Sequence, residues 1–318
     1  PICMACGACQ VVCPTGAVLL DKVSVRQPRP ILSEFDARLA GRPSIYIPYP
    51  QAIPKAAVID RQTCVHFGKG EELDACRACE KFCEAGAIDY HQQEELADLE
   101  VGAVVIAPGF ELCDHKLRAE YGFGQYPNVI SSLQFERVLS ASGPYQGHIQ
   151  RPSDGQEPKR IASIQCVGSR EEEAAYCSSV CCMYAVKHAL MAKEHMPGVE
   201  YTIFFIDLRA FGKGFDAYYQ RAQEEGVRFV RARPATVEEA GEQRNLRIKY
   251  LNERGEFKDE EFELVVLSSG IRPAARAVEA ARRLGVEQGE DGYCLTRALA
   301  PMETSRPGVL VCGTFTEP

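Results

Sequence analysis

Apolar and polar positions change their rhythm near residue 100. Beyond that point short apolar runs alternate with longer polar, periodic segments closed by glycine, the pattern of strands alternating with helices in an α/β domain. Val101–Ala107 has the length and content of a buried strand and ends on Pro108-Gly109. Arg160–Gln165 reads as a second strand, followed by a helix over about Ala175–His195. Tyr201–Ile206 is a third, with Asp207 at its end, and Gly214–Glu225 a helix stopped by Gly226 before a strand at Val227–Val230. Asn245–Leu251 and Glu261–Leu267 read as a polar hairpin, and Gly308–Val311 as a last core strand. Before residue 100 that alternation is missing. A proline-rich stretch from Arg42-Pro43 to Pro54, poor in helix formers, connects two groups of cysteines.

The composition supports this division. With 318 residues, 46% of them apolar and 25% charged, the chain has room for roughly two domains and a sizeable core. Its apolar runs are strand-sized, so no membrane span is expected, and the opening Pro1-Ile2-Cys3 has no leader character. A soluble, cytoplasmic protein is the expectation. A net charge of −8 with no basic cluster argues against nucleic acid. The abrupt opening and the ending on Gly313-Thr314-Phe315-Thr316-Glu317-Pro318 read as a piece of a longer polypeptide.

Fifteen cysteines change the picture. In a chain with an adequate core and no secretory leader, grouped cysteines point to metal rather than disulfides. Cys3, Cys6, Cys9 and Cys13-Pro14 follow the C-x2-C-x2-C-x3-C-P run of two-cluster ferredoxins, in which the fourth thiolate crosses to the other cluster. Cys64, Cys76, Cys79 and Cys83 form the second group. The crossover rule then assigns Cys3, Cys6, Cys9 and Cys83 to one [4Fe–4S] cluster, and Cys64, Cys76, Cys79 and Cys13 to the other. Structural zinc is the competing reading, but its two separated C-x-x-C knuckles do not match a run of four closely spaced thiols. The long separation of Cys13 from Cys64, and Glu84 where a proline usually follows, depart from the ferredoxin pattern.

Cys166, Cys177, Cys181 and Cys182 make a third group, C-x10-C-x3-C-C. On a continuous helix Cys177 and Cys181 share a face, Cys182 lies a step around it, and Cys166 arrives from the loop after a strand. Four thiols suit a further [4Fe–4S] cluster; a vicinal disulfide, a redox dithiol and plain buried cysteines compete with it.

Several long stretches carry a resemblance. Gln165-Cys-Val-Gly-Ser-Arg170 with Tyr176-Cys-Ser-Ser-Val-Cys-Cys-Met-Tyr-Ala-Val-Lys-His188 resembles the A subunit of heterodisulfide reductase, an iron–sulfur flavoprotein. So do Tyr46–Pro54, Ser140–Pro144, Arg151–Gly155 and Ile206–Gly214. The resemblance implies an α/β, thioredoxin-reductase-like fold with two dinucleotide-binding domains, present in part at residues 99–318. Into it an α+β two-cluster ferredoxin module, residues 1–98, is inserted. It implies cluster ligation by Cys166, Cys177, Cys181 and Cys182 near FAD, and places Lys187 close to the flavin N5, where a positive charge favours the reduced anion. It further implies electron transfer between FAD and [4Fe–4S] clusters in a flavin-based electron-bifurcating oxidoreductase complex. The implied partners are other heterodisulfide-reductase-type subunits, ferredoxin and a hydrogenase, formate dehydrogenase or other donor module. The implied assembly is a homodimer within a larger complex, and the fragment is expected to be inactive alone.

The flavin evidence in the residues is thinner. No Gly-x-Gly-x-x-Gly turn occurs; in the family it precedes the ferredoxin insert. Ala107-Pro-Gly109 and Val311-Cys-Gly313-Thr314 resemble flavin-side segments, with ordinary strand-to-loop turns as the alternative. After Ile161–Gln165, where a pyridine-nucleotide reductase carries its glycine-rich turn, stands Cys166-Val-Gly-Ser, so no productive NAD(P)H binding is expected. Asp207 then reads as a helix cap or surface carboxylate, and His188 and His195 as ordinary helix residues. Cys113, Cys294 and Cys312 read as isolated buried or incidental thiols. An NAD(P)H-dependent flavoprotein reductase and a zinc-stabilised scaffold remain the alternative functions.

Overall fold

The computed structural model describes residues 31–68, 76–172 and 174–318. The chain divides into two compact units, Pro1–Asp98 and Leu99–Pro318.

In the first unit β1 (Ile31–Leu32) pairs antiparallel with β2 (Gly41–Arg42), and β3 (Ile45–Tyr46) with β4 (Val58–Ile59). Two short helices follow, α1 (Val65–Gly68) and α2 (Ala78–Phe82). The proline-rich stretch contributes only β2 and β3, because prolines withhold the amide donors that longer ladders need. Arg42 ties the two hairpins together, bridging Glu34 at 2.6 Å and Asp60 at 3.0 Å.

The second unit runs β5 (Val104–Ile106), β6 (Glu111–Leu112), β7 (Val129–Ser131), α3 (Ser132–Leu139), β8 (Arg160–Val167) and α4 (Cys181–His195). It continues with β9 (Glu200–Phe205), α5 (Phe215–Glu224), β10 (Arg228–Arg231), β11 (Thr236–Ala240), β12 (Asn245–Leu251), β13 (Phe257–Phe262) and β14 (Leu264–Ser269). It closes with β15 (Ile271–Arg272), α6 (Ala275–Arg283), β16 (Thr296–Arg297), β17 (Ala300–Thr304) and β18 (Val309–Val311).

A five-stranded parallel sheet, ordered β10-β9-β8-β14-β7, organises this unit. Helices α3 and α4 pack on it. Its other face meets the antiparallel sheet β11-β12-β13, and Ala162, Ile164, Phe204, Val265 and Leu267 pack there against Val237, Leu246, Ile248, Tyr250 and Phe262. A smaller sheet, β16-β17-β18-β5, packs Ile106, Val309 and Val311 against Ala277 and Ala281 of α6. The expected α/β class is thus present, with a parallel core sheet covered on both sides.

Local chemistry accounts for the element ends. Ser131 caps α3 in a capping box: its hydroxyl accepts from Gln134 N–H, and the Gln134 side chain accepts from the Ser131 amide. Gly214 precedes α5 at φ 81° and Gly226 follows at φ 80°, so the expected helix is bracketed as its glycines require.

Two expectations need correction. The helix expected from Ala175 begins only at Cys181, because Ser179 sits at φ 56°, a left-handed conformation that no helix accommodates. Cys177 therefore lies in the loop before α4 and shares no helical face with Cys181. The expected hairpin partner Glu261–Leu267 is also split. β12 pairs with β13 on one side and β11 on the other, whereas Leu264–Ser269 departs to lie between β8 and β7. All six residues of β14 are buried, so the run needs apolar surroundings on both faces, and a solvated hairpin offers them on one.

Candidate iron–sulfur and flavin sites

Cys3, Cys6, Cys9 and Cys13 lie outside the described residues. The described cysteines of the first unit, Cys64, Cys76, Cys79 and Cys83, are free thiols, each partly exposed. Cys79 stands on α2, and its Sγ shares a 2.7 Å hydrogen bond with the hydroxyl of Tyr90. Burial pushes the Tyr90 phenol up, and the bond to Cys79 and the charges of Cys79 and Cys64 push it further. Cys83 Sγ accepts from the Ala87 amide at 3.3 Å. Both contacts suit a ligated sulfur, since hydrogen bonds to cluster sulfurs help to set reduction potentials. Sequence reasoning passed over Tyr90. Its only signal was an aromatic residue shortly after the last cysteine of the group.

In the second unit the third cysteine group gathers at the carboxyl ends of β8 and β14, the edge of a parallel sheet where ligands characteristically bind. Cys166 is the last but one residue of β8 and adopts φ 60°. Cys177 comes from the loop that follows it, and its sulfur accepts from the Ser179 amide at 3.4 Å. Cys181 and Cys182 form the first turn of α4. All four are free thiols; Cys166, Cys181 and Cys182 are buried. Burial pushes the Cys181 thiol up to about 12 and the Cys182 thiol up to about 11, with the charges of the neighbouring cysteines adding to both. Burial likewise raises Cys166, against the opposing influence of the Arg170 guanidinium. A cationic iron–sulfur core would displace the thiol protons as its thiolate ligands form. Among the described residues no three His, Cys, Asp or Glu side chains gather to hold a single metal ion. A cubane asks for something else, one thiolate at each of four separate corners, and these four thiols match that donor set.

The Cys166 turn is braced from behind. Cys113, read from the sequence as an isolated thiol, is buried and donates its S–H to Val167 O at 3.1 Å, while its amide donates to Gly270 O at 2.9 Å. Gly168 has φ 74°, and a Cβ there would stand 2.2 Å from Cys113 Sγ. Asp207 caps no helix; it is a partly exposed carboxylate that pairs with Arg170 and Arg209, and its carbonyl lies 3.9 Å from Cys182 Sγ. Sequence alone had no signal for these contacts, which join residues distant in the chain.

The two segments that resemble flavin-side turns lie next to each other. β5 and β18 are parallel neighbours, Val311 facing Ile106, and the Cys312 amide donates to Ile106 O at 3.1 Å. Ala107 and Gly109 therefore leave one strand end beside Gly313 and Thr314 leaving the next. Gly109 and Gly313 both have φ 74°, and a Cβ at either would meet nothing within 4 Å. This open backbone at parallel strand ends fits one wall of a flavin site. Lys187 is engaged elsewhere, donating from Nζ to Glu136 Oε1 at 2.5 Å with both side chains about 40% exposed. Glu136 also binds His188 Nε2 at 2.7 Å, and His188 is buried against Phe135. The Glu136 carboxyl is held at about 2 by its His188 hydrogen bond first and by Lys187 as well, while burial lowers His188. His195 is an ordinary helix residue, its Nδ1 bonded to Gly147 O at 2.9 Å. Cys294 packs in the core beside α6.

Comparison with known proteins fits this layout. The family model described as "4Fe-4S dicluster domain" matches residues 2–87, so the chain is an iron–sulfur protein whose cluster domain is followed in sequence by an α/β unit. Over 323 aligned residues, all of this chain and 46% of the relative, it is 41% identical to the iron–sulfur A subunit of the CoB–CoM heterodisulfide reductase of Methanocaldococcus jannaschii. It is 37% identical to the A subunit of the H(2):CoB-CoM heterodisulfide,ferredoxin reductase of Methanothermobacter marburgensis, covering all of this chain and 45% of that one. The chain belongs to the A-subunit family of heterodisulfide reductases and spans somewhat under half the length of these relatives. A loose likeness to Lactococcus lactis thioredoxin reductase has a TM-score of 0.41 at 20% identity, over 67% of this chain and 57% of that one. Among the described residues no helix is long and apolar enough to cross a membrane.

Proposed function

We propose that this chain is the electron-carrying part of an oxidoreductase component that moves electrons between FAD and [4Fe–4S] clusters. In this reading residues 1–98 hold two clusters, with Cys3, Cys6, Cys9 and Cys83 on one and Cys64, Cys76, Cys79 and Cys13 on the other. Residues 99–318 hold a third on Cys166, Cys177, Cys181 and Cys182. The observation that supports it is the placement of Cys166 near the end of β8, of Cys181 and Cys182 at the start of α4 with the Cys181 sulfur beside Ser269 of β14, and of Cys177 in the loop between, in a chain that also matches a dicluster model. Each cluster supplies a one-electron station; the protein supplies thiolates, burial and sulfur hydrogen bonds that set its potential.

Ala107, Gly109, Gly313 and Thr314 would line one side of the flavin, and Lys187 would stabilise its reduced anion once free of Glu136. The chain is a cytoplasmic component of a heterodisulfide-reductase-type complex that bifurcates electrons, a homodimer served by ferredoxin and by a hydrogenase or formate dehydrogenase. The relatives' names support the partners: one names H(2), and the protein of Methanococcus maripaludis names H(2)/formate. Iron, acid-labile sulfide and zinc measured after anaerobic purification test the reading. About twelve iron atoms with matching sulfide are expected from three cubes of four. About eight would remove the third cluster, and zinc without sulfide would replace electron transfer by a scaffold.

A further inference from the structure

One turn beyond Cys181 on α4 stands Tyr184, which the electron-transfer reading leaves without a role. Its hydroxyl donates to the carbonyl of Ser269 at 3.1 Å, and the Cys181 thiol donates to that same carbonyl at 3.6 Å. Phenol and thiol thus meet over one acceptor at the end of β14. The shared acceptor places the phenolic oxygen beside the Cys181 sulfur.

Iron changes what Cys181 can do. A ligating sulfur has lost its S–H, so it stops donating to Ser269 and becomes an anionic acceptor beside an O–H. Resting on the assignment of Cys181 to the third cluster, we propose that Tyr184 is a positioning residue for electron transfer, donating its phenolic hydrogen bond to the ligated Cys181 sulfur and thereby raising that cluster's reduction potential. A hydrogen bond to a thiolate strengthens as negative charge builds on the cluster, so it favours the reduced form. No proton is transferred; one electron enters the cube and the phenol stays neutral. A merely structural tyrosine would act through its ring, which lies 5.5 Å from that of His188, and phenylalanine would preserve that packing.

The test is a dithionite redox titration, followed by electron paramagnetic resonance, on the anaerobically purified protein with all clusters loaded. Tyr184→Phe is expected to shift the third cluster's reduction equilibrium roughly five- to tenfold toward the oxidised form, about 40–60 mV lower for one electron, leaving the two N-terminal clusters in place. Difluorotyrosine at position 184, a stronger donor of nearly the same shape, is expected to move the same potential upward. Full iron loading with an unchanged potential in both proteins overturns the proposal. If Tyr184→Phe takes up no third cluster, the fluorinated protein decides: a rise supports the role and no change refutes it. Wild-type protein with only the N-terminal signals would defeat the third cluster itself, an outcome distinct from a third signal that Tyr184 leaves unmoved.

Discussion

Replacing Gly168 by alanine probes the turn that presents Cys166. Two costs combine at this position. Gly168 has φ 74°, where a Cβ costs roughly 1–2 kcal/mol. The new Cβ would also stand 2.2 Å from Cys113 Sγ and 2.7 Å from its Cβ, so the buried Cys113 must move. Moving it sacrifices the S–H bond to Val167 and overpacks the site, about 1–3 kcal/mol more. A total of roughly 2–5 kcal/mol corresponds to a loss of about 10 °C in a domain of this size. Thermal unfolding followed by tyrosine fluorescence reads this directly, since the chain has 13 tyrosines and no tryptophan. The double variant with Cys113→Ala, which removes the sulfur but leaves its Cβ, is expected to be less destabilised than the sum of the single changes by about 1 kcal/mol. A Gly168→Ala protein that melts within about 2 °C of wild type, or a cycle with no coupling, refutes the brace.

Other predictions rest on separate contacts. Glu136→Ala leaves the buried His188 Nε2 without its acceptor while His188 Nδ1 already has no partner, and is expected to cost about 1–3 kcal/mol in a denaturant melt. Because the Glu136 carboxyl is held at about 2 rather than 4.5, its contribution is present above about 4.5 and lost as pH falls toward 2. His188, lowered from 6.5 by burial, adds a loss of the same sign below 6.5; an acid-unfolding profile unchanged in Glu136→Gln would contradict the first part. Cys177→Ser is expected to remove or convert the third cluster's paramagnetic signal while the N-terminal signals persist, and loss of all three together would show that the units do not load independently.

The sequence made legible what is local. The spacing of Cys64, Cys76, Cys79 and Cys83, the glycines around α5, and the strands at 160–167, 200–205 and 309–311 follow from short-range pattern. The start of α4 was not legible, because helix-forming residues run on through Ala175 and only the left-handed Ser179 breaks them. Leu264–Ser269 looked like half of a hairpin because neighbouring strands usually pair with each other; its partners are β7 and β8, which precede it by about a hundred residues or more, and helices and a second sheet cover its two faces. The same distance hid Cys113 behind Gly168, Arg170 beside Asp207, and Tyr184 over Ser269. Such contacts are fixed by tertiary geometry, on which the spacing of residues along the chain is silent.

The pairing of β5 with β18 bears on the order in which the molecule assembles. Val104 faces Val309 across about two hundred intervening residues, so this sheet closes over one of the longest loops in the chain. During synthesis β5 must wait, with Val105 still 60% exposed at the end, until its neighbour emerges, while the parallel sheet can form from strands already made. The strand ends that carry Ala107, Gly109, Gly313 and Thr314 would therefore be the last part of this unit to take shape, after the end of β8 that carries Cys166 is already in place.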